Sequence, residues 1–148
     1  MYRNIIFTTL IYCLSYSGFS QVKSDYDEIG FHCSYGGIPT ESVKKIQNLI
    51  QNKKFPEIIY LMESSNNAEK FLASMVYLEL CREEAVMPDP NVVLNAEHIL
   101  NSDVKIAVCS GCTYYEQFTM KELFEKRDDP TFSFNFEFKN WLKQNLNN

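Results

Sequence analysis

Cysteine is the residue type in this chain best placed to do chemistry. Cys109-Ser-Gly-Cys112 has the spacing of a thiol–disulfide centre or half a metal site, and Cys33 and Cys81 stand upstream of it. Three chemistries compete for these four residues. In an oxidising compartment an even set of cysteines reads first as structural disulfides, and four cysteines allow three pairings that sequence alone does not separate. A redox centre needs Cys109 at a helix start, where the dipole favours its thiolate, and Val104–Val108 would be the preceding strand. The surrounding strand-helix alternation of thioredoxin-like proteins is missing, which weighs against it. Zinc needs four ligands in a tetrahedron. Cys109 and Cys112 supply two, with Cys33, Cys81, His32 or His98 as candidates for the rest, yet no second Cys-x-x-Cys or His-x-x-x-His completes the set. Structural bridging through Cys33, Cys81, Cys109 and Cys112 is therefore the leading expectation. Redox or metal work at Cys109 and Cys112 is the alternative. Cys81, on a helical face with Phe71, Ser74 and Leu78, also reads as a small buried hydrophobe.

The compartment decides among these readings, and the N-terminus speaks to it. Arg3 precedes an apolar stretch from Ile5 to Leu14, and small residues at Gly18 and Ser20 precede Gln21. This is the pattern of a secretory signal over residues 1–20 and predicts an exported, periplasmic or secreted product. This stretch of ten residues, two of them threonines, falls short of the roughly 20 apolar residues a membrane span requires. Lipidation at Cys13 is disfavoured because Tyr12 stands where a small residue is wanted.

Other catalytic constellations do not assemble. There is no Gly-x-Ser-x-Gly, no His-Glu-x-x-His and no phosphate loop. His98, beside Glu97, reads as an ordinary helix residue. Glu83-Glu84 and Asp128-Asp129 fall at element ends where solvated charge is the default. Catalysis is disfavoured, and no cofactor or metal is implied. The chain carries 14 basic and 19 acidic residues for a net charge of −5, and its only basic doublets outside the C-terminal part are Lys44-Lys45 and Lys53-Lys54. Nucleic acid, which wants a concentrated positive face, is a poor partner. Another protein is the expected one. Aromatics make up 14% of the residues, and any left outside the core would mark a binding face. The Tyr35-Gly36-Gly37 turn and residues 112–118 are the first places to look.

The elements that position these residues read mostly as helices. Residues 21–39 are irregular, and residues 40–148 form one helical domain. Val43, Ile46, Leu49 and Ile50 share a face of a first helix, with Thr40 as its cap. A short second helix opens at Pro56. Asn66 and Glu69 resemble a capping box before a long third helix carrying Phe71, Leu72, Met75, Val76, Leu78 and Leu80. Asp89-Pro90 begins a fourth that ends at Asn101. Residues 104–108 alternate as a strand does, but with no evident partner strand they are read as the start of a buried helix. Thr119-Met-Lys-Glu122 is a capping box. Residues 134–146 predict a closing helix with Phe134, Phe138, Trp141, Leu142 and Asn145 on one face, and a strand over 131–138 is its rival. The expected fold is all-α, a small bundle or short α-solenoid. The pairs at 40–64 and 66–102 resemble HEAT-type helical hairpins, which implies a protein-binding surface.

Overall fold

The computed structural model describes residues 26–33, 35–111, 114–129 and 131–147. The signal reading over residues 1–20, the lipidation candidate Cys13 and the second cysteine of the pair, Cys112, lie outside the described residues. Among the described residues the fold comprises six α-helices and a three-stranded mixed sheet. Strand β1 (Glu28–Ile29) leads to helices α1 (Glu41–Gln51), α2 (Phe55–Leu61), α3 (Asn67–Arg82) and α4 (Pro90–Leu100). Strands β2 (Lys105–Ser110) and β3 (Tyr114–Thr119) follow, then α5 (Met120–Glu125), a 3-10 turn, and α6 (Ser133–Leu146).

Helix α3 is the hub. Nine of its residues are buried, including an unbroken run from Phe71 to Tyr77, so it is enclosed on nearly all sides. Helices α1, α2 and α4 and the sheet pack around it. Its start is fixed by the Asn66 side chain, which accepts the Glu69 amide at 2.9 Å. The reciprocal half of the expected box is absent. Glu69 instead binds Lys45 at 2.8 Å and takes the Ser64 hydroxyl at 2.6 Å, and the Asn66 amide donates to Ser64. The capping box at Thr119 and Glu122 is complete in both directions. Helix α6 closes the core as its periodicity requires: Phe134, Phe138, Trp141, Leu142 and Asn145 are all buried. Phe31 packs its ring against Phe134, Phe138 and Trp141 at 5.2–6.3 Å.

The all-α expectation is overturned by the sheet. Residues 105–110 are a strand, as their alternation allowed, and not a buried helix. Their partners are β3, antiparallel with Ile106 opposite Phe118, and β1, parallel with Ile29 opposite Val108. Both were hidden for physical reasons. Strand β1 is two residues long and carries no period. Strand β3 runs directly into a helix cap, so its Tyr, Phe and Thr content reads as a helix approach. Sheet pairing is decided by remote residues as much as by local ones. The rival strand at 131–138 does not form. The first helix also departs in one detail: Thr40 occupies the cap position but its side chain caps nothing in α1. Its hydroxyl oxygen accepts the Gly30 amide at 3.2 Å, while the Thr40 amide donates to the Gly30 carbonyl at 2.9 Å. The segment ahead of α1 is thereby stitched to the helix.

Candidate functional site

The sheet has two faces of different character. Ile29, Ile106, Val108 and Phe118 point toward the helices and belong to the core. Alternation then sends Glu28, Ala107, Cys109, Tyr115 and Gln117 to the opposite face, in register across the three strands. On that face Cys109 is joined to Cys33 by a disulfide whose Cα atoms lie 5.6 Å apart, within the usual range.

The bridge anchors a turn. Cys33 and Ile38 exchange backbone hydrogen bonds of 3.0 and 2.9 Å, closing Tyr35-Gly36-Gly37 between them. Gly37 supplies the positive φ of 58° that such a tight return demands. Cys33 also forms a bridge pairing with Gly111, whose amide donates to the His32 carbonyl. At the base sits Gly30. A Cβ there would overlap both sulfurs of the disulfide and lie 2.6 Å from the Cys109 carbonyl oxygen, so only glycine lets the backbone pass beneath the bridge.

This framework holds side chains outward. Tyr35 at the turn tip is 95% exposed, Ile38 at its return is 53% exposed, and Tyr115 beside Cys109 is 46% exposed. Such residues gathered about one bridge differ from Tyr60, Met87, Leu94 and Phe136, which are scattered over helices and connections as single exposed apolar residues normally are. Glu28 adds a carboxyl whose pKa is pushed above the usual carboxylate value by burial.

Cys33 and Cys109 are joined. Cys81 carries a free, partly buried thiol in α3 and packs against the core near Tyr77. The Tyr77 hydroxyl, pushed up by burial and by that thiol, accepts the Asp89 amide at 3.0 Å. Among the described residues one group has metal-ligand atoms close together, Glu28, Cys33 and Cys109, within 4.8 Å of one another. His32 and His98 are exposed and do not join it. While the sulfurs are bonded to each other neither is a thiolate, so this state offers no nucleophile at Cys109. Glu28 and Gly30 are the residues sequence reasoning missed. A glycine two residues before His32-Cys33 was the one available signal, and it acquires meaning only once Cys109 is known to lie against it. Among the described residues no helix is long and apolar enough to cross a membrane. No protein-family model, curated protein or solved structure matches the chain.

Proposed function

We propose that this chain is an exported, non-enzymatic protein-interaction module of the inhibitor or immunity type, and that it presents Tyr35, Ile38 and Tyr115 to its partner. The observation that carries the reading is the disulfide-anchored turn. A protruding aromatic held by a covalent base loses little conformational freedom on docking, and that preorganisation converts contact area into affinity. Tyrosine at the centre of a patch is a preferred hot-spot residue. Export is supported by the bridge itself, since disulfides persist in oxidising compartments, and by the signal-like pattern of residues 1–20.

The test is site-specific photo-crosslinking in the producing cell, with a photoreactive residue at position 35 and, as control, at exposed Tyr60. A discrete adduct from position 35 that disappears in the Cys33→Ser protein, with none from position 60, is the expected result. Equal crosslinking from both positions, or none from position 35, overturns the assignment. The alternative is an envelope thiol–disulfide or metal-binding protein built on Cys109-Ser-Gly-Cys112. The grouping of Glu28 with the sulfurs of Cys33 and Cys109 supports the Cys109 half of it. It predicts that Cys109 becomes rapidly alkylated under mild reduction while the fold persists, whereas a structural bridge stays closed until the protein unfolds.

A further inference from the structure

On the helical side of the molecule three helix ends converge around an open cleft of about 750 Å³, a size typical of small-molecule sites. Lys53 follows the end of α1, Arg82 ends α3, and Lys143 lies in the last turn of α6. Phe55, Leu142 and Leu146 contribute apolar surface between them. Four cations, these three and Lys139, line the cleft against two acids, Glu79 and Glu83, in a chain that is acidic overall.

The acids do not neutralise the cations evenly. Arg82 answers both Glu79 and Glu83, and Lys139 answers Asp128 at 3.6 Å outside the cleft. Lys53 and Lys143 have no carboxylate within ion-pair distance among the described residues. A helix C-terminus welcomes a cation for its own sake, and that alone accounts for Arg82 and Lys143. It accounts for Lys53 as well, one residue past the α1 cap; what the helix ends do not supply is a counter-charge for Lys53 and Lys143. Lys53 ends α1 in the left-handed conformation at a φ of +54°, as Glu84 does after α3 at +56°. The Lys53 side chain is one wall of the cleft.

We propose that this cleft binds a single-chain anionic amphiphile, its carboxylate held by Lys53 and Lys143 and its apolar chain lying over Phe55, Leu142 and Leu146. The site is independent of the disulfide face, so either can fail without the other. Trp141 is the only tryptophan in the chain and adjoins Leu142 in α6, which gives a built-in optical report. Titration of the purified protein with dodecanoate below its micellar range should produce a saturable fluorescence change, with calorimetry confirming stoichiometric binding. Dodecyltrimethylammonium, with the same tail and the opposite charge, should bind about tenfold more weakly or worse, and K53E/K143E should lose dodecanoate affinity by a similar factor. Both lysines are exposed, so that variant keeps its fold, and an unchanged circular dichroism spectrum verifies this. Ala85→Phe, which narrows the cleft without altering charge, should weaken binding as well. The proposal is overturned by absence of saturation, by equal affinity for the two amphiphiles, or by unchanged affinity in the charge-reversed protein. Binding confined to anionic phospholipid vesicles, with none to monomeric dodecanoate, also overturns it.

Discussion

The sheet's outer face and the helical layer around α3 are held together by different means. The helical layer rests on apolar stripes, caps and local ion pairs, such as Asn66 to Glu69 and Lys45 to Glu69. Most of these partners are near one another in sequence or lie on adjacent helices. The outer face rests on partners far apart: Glu28 opposite Ala107, Cys33 bonded to Cys109 across a separation of 76 residues, and Gly111 to His32. One region is stabilised by many small local terms, the other by a few non-local ones. Removing any single contact should therefore hurt the second far more than the first.

Opening the bridge is the strongest way to test that contrast. Cys33→Ser with Cys109→Ser, or chemical reduction, should cost about 4 kcal/mol, from the entropy the cross-link removes from the unfolded chain. Denaturant unfolding measures the loss. Hydrogen exchange should show α3 amides losing protection only by that global amount, with β1 and the Cys33–Ile38 turn opening locally at still lower cost; the same protection left everywhere would erase the distinction. Next comes Gly30→Ala. Its methyl group collides with both sulfurs, and overpacking of this kind costs about 1–3 kcal/mol. Pairing it with the cysteine-free protein should relieve most of the penalty in a double-mutant cycle. Thr119→Ala removes one half of a capping box and should cost about 1 kcal/mol, felt in α5 and little beyond.

The smallest effects are pH-linked and run in opposite directions in the two regions. Burial works against the Glu69 charge, yet hydrogen bonds from Lys45 and Ser64 and the Lys45 charge outweigh it and lower its pKa. A carboxylate with a depressed folded pKa stabilises above its unfolded value, near 4.3, and that benefit fades as pH falls through the folded value. Glu69→Gln should thus weaken the protein at neutral pH by less than about 1 kcal/mol and flatten its acid sensitivity. Glu28 has a raised pKa from burial, so its charge is a penalty above that raised value which disappears as pH drops toward the unfolded one. Glu28→Gln should stabilise at neutral pH and be without effect in acid. Urea midpoints across pH 3–7 test both signs.

What could be read from residues alone follows the same divide. Helix α6 was legible because Phe134, Phe138 and Trp141 recur at helical spacing and nothing distant alters that. The Thr119 box was legible because both partners lie within four residues. The sheet was not. The alternation at Lys105–Val108 was visible, but it required a partner, and β1 offers only Glu28 and Ile29. The choice of Cys33 for Cys109, over Cys81 or Cys112, is set by the parallel register of β1 on β2, which no local pattern encodes. The exposed Tyr35 turn was findable from its two glycines, whereas Gly30 and the three converging helix ends were not.

The free thiol at Cys81 has a consequence for how the chain matures. During synthesis Cys33 emerges first and Cys81 second, so an incorrect sulfur is on offer before Cys109 exists. Packing of the core against α3, which needs β2 and α6, leaves Cys81 half-covered and so screens that decoy only once the chain folds. Oxidation before folding is expected to populate a Cys33–Cys81 cross-link. Replacing Cys81 by alanine should raise the yield of correctly oxidised protein in refolding from the reduced state, as counted by mass spectrometry of alkylated peptides.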